Sequence, residues 1–295
     1  MKRLSEHVLC LGNRHFNFFV VGKSRAALVE CGVSGAVAGL RKQWEEHGHP
    51  SLPHVEHLLA MHAHFDHVCG IPSLQELFPG AALTASPKAQ KVLGKAAILA
   101  DFFNQDKSML AVLTNEGLLE ANVEISQVDH IDVERTVQEG DHIVPEAGVV
   151  LEIISAPGHS SDSLAAYLPS DRVMFISDAA GFQSSDTEIF PIFFQSYPLY
   201  IETIERLRGY PSRVLAIPHE RIWTGNEIDA FYQRALLAAR EAFTRIRDMY
   251  DAGIPGEEMR ERLFQNYYRG DLRIYTPGNI RTCVDLLVRR VQECL

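Results

Sequence analysis

The sequence predicts an α/β fold with a helical C-terminal segment, and three observations support this prediction. Short apolar runs typical of buried strands recur through the first 226 residues, separated by stretches with helical apolar spacing. Several of these runs are followed directly by His or Asp, as expected where the ends of strands form a site. From Glu227 onward the pattern is helical almost throughout, with breaks near 253–256 and at Gly270. We therefore predict a core over residues 1–226 and a helical segment over 227–295 that packs over the active site.

The individual elements follow from apolar runs, turn residues and capping residues. The predicted strands are 17–21, 26–30, 58–61, 82–85, 131–137, 149–154, 165–168, 173–176 and 214–217. The predicted helices of the core are 34–44, 71–78, 87–93, 96–121 and 200–207. A last helix is predicted to start at Thr276-Pro277, a capping residue followed by proline. The stretch 47–57, rich in proline and histidine, is predicted to be a solvated loop because its prolines interrupt any regular spacing.

Composition limits the classes of function. The chain has 295 residues, 46% hydrophobic content and a net charge of −10, which argues against a general nucleic-acid surface. In residues 227–295 the charges balance, and every base is an arginine, suited to ion pairs on helix faces or to an anionic ligand. The cysteines are scattered and odd in number, as in a reduced compartment: Cys10, Cys31, Cys69, Cys283 and Cys294. With no run of membrane-spanning length, we expect a cytoplasmic protein with no membrane partner.

The strongest motif is His62-Ala63-His64-Phe65-Asp66-His67, which follows the apolar run 58–61. In extended backbone, residues two apart point to the same side, so His62 and His64 can bind one metal ion. Asp66 and His67 can turn toward a second ion beside it. Four ligand-type residues within six positions are poorly explained as surface histidines with a turn aspartate.

Three further ligand-type residues end predicted strands. His159 follows the strand 149–154 after a tight Pro-Gly turn, Asp178 follows 173–176, and His219 follows 214–217. Each alone is an ordinary turn residue. Because the strands of one sheet can end at the same edge, all three could join the first motif.

The motif His-x-His-x-Asp-His, with the later residues in this order, resembles the metallo-β-lactamase superfamily over about residues 8–226. The resemblance implies an αβ/βα sandwich of two mixed sheets with helices outside. It also implies metal ligands: His62, His64 and His159 for a first ion, Asp66, His67 and His219 for a second, and Asp178 as a bridge. The chain is further similar to the aminobenzoylacetyl-CoA thioesterase type of bacterial quinolone signalling, in total length and in the stretches that follow His159 and Asp178. His64, where a diiron oxygen-reducing branch has Glu, argues against that branch.

Four positions depart from the superfamily pattern. Glu30 stands where Asp is usual after an early strand, and Ser177 replaces the common Gly before Asp178. Glu220 replaces the Gly after the last ligand and would add a carboxylate near the second ion. Cys69, at a position often held by Gly, is expected to be a buried structural thiol.

The expected chemistry is hydrolysis by two divalent ions that hold a bridging water as hydroxide. Asp66 is placed to accept a proton from that water and to pass it to the leaving group. Zinc suits these ligands, as do iron and manganese. Six aromatic residues between Phe182 and Tyr200 either pack under the C-terminal helices or line an apolar pocket. A pocket favours a small-molecule thioester or ester, including acyl-CoA, and a homodimer is compatible with this hypothesis. The alternatives are a phosphodiesterase or nuclease of the same fold, and a regulatory protein that acts through a binding partner.

Overall fold

The computed structural model describes residues 1–47, 52–119 and 125–295. Its two main sheets hold the strands in an order that follows the sequence closely. The first sheet contains, in spatial order, β1 (Lys2–Arg3), β2 (Val8–Gly12), β3 (Asn17–Val21), β4 (Arg25–Val29), β5 (His54–Leu59), β6 (Ala82–Ala85) and β7 (Arg135–Thr136). The second contains β15 (Trp223–Thr224), β14 (Val214–Ala216), β11 (Val173–Phe175), β10 (Leu164–Leu168), β9 (Val149–Ser155) and β8 (His142–Glu146). A small ribbon pairs β12 (Phe182–Gln183) with β13 (Ile189–Phe190).

The sheets face one another across an apolar layer. Successive residues of β3 point to opposite sides, so Phe19 belongs to the layer between the sheets while Phe18 belongs to the larger core beneath the helices. Phe19 of the first sheet meets Phe175 of the second edge to face, with ring centroids 5.5 Å apart. The strand order and the two cores confirm the predicted sandwich of two mixed sheets with helices outside.

Nine α-helices and one 3₁₀ helix are found in the described ranges. They are α1 (Ser34–His47), α2 (Phe65–Val68), α3 (Ile71–Leu77), α4 (Pro87–Leu93), α5 (Ala96–Asn115), α6 (Tyr197–Arg208), α7 (Glu227–Asp251), α8 (Gly256–Tyr267), the 3₁₀ helix (Gly270–Ile274) and α9 (Pro277–Gln292). Ser86, Ser196 and Thr276 cap α4, α6 and α9 by accepting a backbone N–H bond. The N-terminus of α1 is instead capped by a neighbouring helix, because Asp106 of α5 accepts hydrogen bonds from the backbone N–H and the hydroxyl of Ser34.

Three boundary predictions were wrong for local reasons. The strand β5 begins at His54, inside the predicted loop 47–57, whose residues 48–51 lie outside the described ranges. Only β7 remains of the predicted strand 131–137. The N–H of Ile131 instead donates to the carbonyl of Leu93 at the end of α4. A carboxylate oxygen of Glu134 accepts a hydrogen bond from the N–H of Leu83 at 2.7 Å, where a strand residue would offer its backbone. The helix predicted over 96–121 ends at Asn115, where Gly117 takes a left-handed φ of 71°; residues 120–124 lie outside the described ranges.

The parallel strand pairs bring the site together. β4 and β5 run parallel with Val29 opposite Leu59, and β11 and β14 run parallel with Phe175 opposite Ala216. The carboxyl ends of these pairs therefore meet at one edge of the sandwich, and the chain turns there into the ligand-type residues. No helix in the described part of the chain is long and apolar enough to span a membrane.

Candidate metal centre

The first group of ligand-type residues is His62, His64 and His159, as the sequence predicted. Nε2 of His62 lies 3.2 Å from Nδ1 of His64 and 3.3 Å from Nε2 of His159, and the remaining nitrogen pair is 2.9 Å apart. Four ligands at zinc–nitrogen distances of ~2.0–2.1 Å in a tetrahedron are separated by about 3.3 Å. Imidazole lone pairs repel one another at this separation unless a proton or cation lies between them. The triangle therefore fits a divalent metal ion.

The second group is Asp66, His67 and His219, together with Asp178. The Nε2 atoms of His67 and His219 are 3.3 Å apart, and each lies 3.8 Å from Oδ2 of Asp66. Oδ2 of Asp178 lies 3.5 Å from Nε2 of both His67 and His159, so this carboxylate faces both groups. The seven predicted residues are thus gathered in two adjacent groups that share an aspartate. Their His and Asp donors suit divalent cations.

Hydrogen bonds on the outer side of the rings fix which nitrogen faces the centre. Nδ1 of His159 bonds the carbonyl of Ile192 at 2.8 Å, and Nδ1 of His219 bonds the carbonyl of His15 at 2.9 Å. A carbonyl only accepts, so both rings carry their proton on Nδ1 and offer an Nε2 lone pair to the centre.

Two of the other three rings, those of His67 and His62, have side-chain partners. Nδ1 of His67 lies 2.8 Å from Oε2 of Glu30, which is an acceptor when ionised, and Nδ1 of His62 lies 3.2 Å from the hydroxyl of Ser177. The partners of His67, His159 and His219, a carboxylate and two backbone carbonyls, are of the kind that orients metal-bound histidines in proteins.

Burial and charge act differently on the histidines. Burial lowers the pKa of His62 well below its usual value, and it lowers the pKa of His159 to about 4. For His67 burial acts in the same direction, but Asp178 and Glu30 outweigh it and raise the pKa of His67 well above its usual value. Burial would raise the pKa of Asp178, yet His67 holds it well below the usual range. The carboxylates that favour a proton on His67 would equally favour a divalent cation, and His62 and His159 are neutral ligands at pH 7.

Strained backbone is concentrated at this edge. Glu30, Ser177 and Glu220 have φ values of 74°, 48° and 61°, in the left-handed region that L-residues rarely adopt. Each lies next to a strand end or a ligand, which explains why glycine is common in the superfamily at the last two positions. Gly158, before His159, is required sterically, because a Cβ there would lie 2.3 Å from the Cα of Tyr200.

Side chains that follow His159 hold its turn in place. The Ser160 hydroxyl donates to Oδ1 of Asp162 at 2.6 Å, and Oδ2 of Asp162 accepts from the N–H of Ala63 at 2.7 Å. Asp162 therefore ties the His159 turn to the His62–His64 loop. Cys69 is buried, as expected for a structural thiol.

A cavity of about 170 Å³ opens on the centre. Its inner end is formed by His64, Asp66, His159 and Asp178. Its walls are mostly apolar: Phe65, Phe102, Phe182, Phe190, Ile192, Phe194, Leu272, Tyr275, Ile280 and Leu286. Gln105, Asn279, Thr282 and Cys283 are the polar or thiol side chains on the walls. No lysine or arginine is among the lining residues that the structure describes.

The aromatic stretch 182–200 divides between the two interpretations offered by the sequence. Phe182, Phe190 and Phe194 line the cavity, while Phe193 and Tyr200 are buried in the core. Tyr197 packs under a C-terminal helix instead, because its ring stacks on Phe243 of α7 with ring centroids 4.3 Å apart.

Glu220 and several arginines of 227–295 have partners other than the seven ligand-type residues. The carboxylate of Glu220 bonds the ring of His15 and lies 3.8 Å from Nε of Arg14, in a group separate from the seven ligands. Several arginines of 227–295 form ion pairs with acidic side chains, for example Arg240 with Glu205 and Arg269 with Glu188. Ion pairing, the alternative given by the sequence, therefore accounts for these arginines.

Two contacts at the centre were missed from the sequence. Glu30 carried the same signal as the ligands, an acidic residue after a buried strand, but it was given no role. Tyr275 lies 209 residues from Asp66 in the sequence and donates a hydrogen bond to it. No local sequence pattern predicts such a contact.

A fold of two facing sheets, with two groups of histidine and aspartate ligands at one edge, suggests a metal-dependent hydrolase. The family model of the metallo-beta-lactamase superfamily matches residues 12–219, and the chain belongs to that superfamily. Members of this superfamily are typically hydrolytic metalloenzymes.

Solved structures share the fold across nearly the whole chain. A beta-lactamase domain protein from Burkholderia ambifaria has a TM-score of 0.64 and 18% identity, covering 99% of this chain and 86% of its own. A metallo-beta-lactamase family protein from Thermus thermophilus has a TM-score of 0.62 and 18% identity, covering 96% and 92%. An archaeal superfamily protein from Sulfolobus tokodaii has a TM-score of 0.59 and 15% identity, covering 97% and 98%. At these identities the likeness concerns the fold alone.

Proposed function

We propose that the protein hydrolyses a small-molecule thioester or ester with two divalent metal ions. Zinc is the metal that we expect, with iron and manganese as alternatives. One observation carries the substrate class: an apolar, largely aromatic cavity opens directly on the His and Asp groups. An engineered cavity of about 150 Å³ accommodates benzene, so a cavity of this size suits an aryl or short acyl group. An acyl-CoA thioester is one substrate of this class.

The residues of the chain divide the work as follows. His62, His64 and His159 would hold one ion, Asp66, His67 and His219 the other, and Asp178 would contact both. When bound, such ions lower the pKa of a water molecule and polarise the substrate carbonyl. The carboxylate of Asp66 lies at the inner end of the cavity, where it can accept the proton of the attacking water and pass it to the leaving group. The apolar walls would exclude other water.

Residues 227–295 would act as one wall of the substrate site. Leu272, Ile280 and Leu286 belong to this segment and line the cavity. The segment would therefore select the acyl group without supplying a metal ligand. A neighbouring cavity of about 250 Å³ shares Gln105 and Asn279 with the first and carries neutral polar groups, which suit an amide-bearing leaving group more than a phosphate.

The alternative of a phosphodiesterase or nuclease is less well supported. Arginine and lysine side chains commonly bind phosphate groups, and the described lining of this cavity contains neither. Binding of a protein partner at a retained metal site is the third hypothesis.

The test is a substrate panel on zinc-reconstituted protein: aryl and short acyl-CoA thioesters, aryl esters, phosphodiesters and RNA. We expect about two ions per chain and turnover of thioesters or esters. Combining His62→Ala with His64→Ala should empty the first site and abolish turnover. His130→Ala, at an exposed histidine outside the centre, is the matched control. Turnover confined to phosphodiesters or RNA would refute the proposal, and metal binding without turnover of any substrate would favour the partner-binding hypothesis.

A further inference from the structure

The hydroxyl of Tyr275 donates a hydrogen bond to Oδ2 of Asp66 at 2.7 Å. Both residues are buried, with relative exposures of 8% and 7%. Tyr275 lies between the 3₁₀ helix and α9, outside residues 12–219 that match the superfamily model. A residue of the C-terminal segment thus bonds a carboxylate of the metal centre.

The direction of this bond is fixed. An ionised carboxylate only accepts, so the phenol is the donor. A phenol ordinarily loses its proton only near pH ~10, so at neutral pH the hydroxyl has a proton to donate.

Tyr275 is held firmly in place. Its ring meets Phe182 and Phe65 edge to face, with centroids 5.6 Å and 6.2 Å away. Its carbonyl accepts a hydrogen bond from the hydroxyl of Tyr268 at 3.0 Å. The preceding 3₁₀ helix is anchored as well, because the N–H of Asp271 bonds the carbonyl of Ser184 at 2.9 Å. The phenol therefore presents its proton to Asp66 with little freedom to turn away.

Oδ2, the atom that Tyr275 bonds, is also the Asp66 oxygen that faces the second group. It lies 3.8 Å from Nε2 of both His67 and His219. A carboxylate oxygen has room for two partners, so the phenol can hold Oδ2 while that oxygen faces a cation. A carboxylate without such a bond rotates about its side-chain torsions and meets the cation less often.

We propose that Tyr275 is a positioning residue that orients the carboxylate of Asp66 toward the second metal group. The C-terminal segment then completes the metal centre as well as lining the cavity. The consequence for catalysis rests on the proposed function, but the consequence for metal affinity does not, because it requires no substrate.

The test compares Tyr275→Phe with Tyr232→Phe in the full-length protein. Tyr232 is also fully buried, and its hydroxyl has no hydrogen-bond partner among the described residues, so the control removes the same atom from a site without this contact. Stepwise Zn²⁺ affinities are measured by competition with a chelator. We expect the affinity for the second ion to fall roughly 10–100-fold in Tyr275→Phe, with the first unchanged and both unchanged in Tyr232→Phe.

A double-mutant cycle separates positioning from a general structural effect. In an Asp66→Ala background, Tyr275→Phe should cause no further loss of Zn²⁺ affinity. Unchanged affinities in Tyr275→Phe, an equal loss in the Asp66→Ala background, or failure of Tyr275→Phe to fold, seen by circular dichroism, would each overturn the proposal. If the affinity effect appears while every acyl substrate remains uncleaved, the positioning role stands and the proposed hydrolase function fails.

Discussion

Glu30 offers the sharpest test of how the centre is built. It directly follows β4, its side chain is buried, and its Oε2 lies 2.8 Å from Nδ1 of His67. Its other oxygen, Oε1, is buried without a hydrogen-bond partner among the described residues. The buried carboxylate of Glu30 orients the imidazole of His67 through this contact. Replacing it should therefore weaken metal binding at the second group.

The size of the effect follows from the contact. A hydrogen bond to a charged group contributes about 1.5–3 kcal/mol. At 1.4 kcal/mol for each factor of ten, its loss corresponds to a decrease of roughly 10–150-fold in affinity for the second ion. Glu30→Ala should reach this range. Glu30→Gln should lose less, because its amide oxygen can still accept from the imidazole of His67.

The backbone supplies a matched control. Glu30 has a φ of 74°, which costs an L-residue roughly 1–2 kcal/mol and glycine almost nothing. Glu30→Gly should therefore lose second-ion affinity like Glu30→Ala while its free energy of unfolding is higher than that of Glu30→Ala. Chelator competition gives the affinities and urea unfolding of the metal-free proteins gives the stabilities. Wild-type affinity for both ions in Glu30→Ala would refute the role assigned to this carboxylate.

Two further predictions concern charged groups with different partners. Asp178→Ala should reduce hydrolysis and metal content far more than Glu220→Ala, because Asp178 faces both ligand groups while Glu220 bonds His15. Kinetics and metal analysis measure the two losses. Equal losses would indicate that Glu220 is itself a ligand. Burial raises the pKa of Asp106 to about 6, although its bonds to Ser34 act in the opposite direction. The folded protein therefore binds this proton more tightly than the unfolded chain, and its stability should fall as pH rises from about 4 to about 6. Asp106→Asn can keep both bonds to Ser34 without a charge. Its stability relative to wild type should therefore increase over that range by up to about 3 kcal/mol in urea titrations. A pH-independent difference would show that folding does not raise the pKa of Asp106.

The ligand-type residues that gather at one edge could be picked out because their signal is local. A buried strand ends, and a His or Asp follows within a few residues, as at His62 and Asp178. The parallel pairs β4–β5 and β11–β14 then place strand ends together at one edge, as the sequence allowed for strands of one sheet.

The remaining contacts depend on distant parts of the chain. Tyr275 approaches Asp66 only because α9 packs beside the centre, and Asp106 caps α1 only because α5 lies next to it. Short paired segments such as β12 and β13 were also missed, since two residues carry too little periodicity to indicate a strand. The sequence therefore indicated the grouped His and Asp residues more completely than the hydrogen bonds and packing that orient them.

The C-terminal segment packs into the main buried cluster and lines the cavity, so it can influence which substrate is accepted. Tyr275, Ile280 and Val284 belong to the same buried cluster as Phe65, the first residue of α2. The cavity lies between α5, which contributes Phe102, and α9, which contributes several wall residues. The metal ligands precede this segment in the sequence, while part of the cavity wall comes from within it. Substitutions along α9 can therefore change the size of the cavity without altering a ligand. At Tyr275 the two roles meet, because one side chain both lines the cavity and bonds Asp66, so a change there should affect metal affinity and substrate choice together.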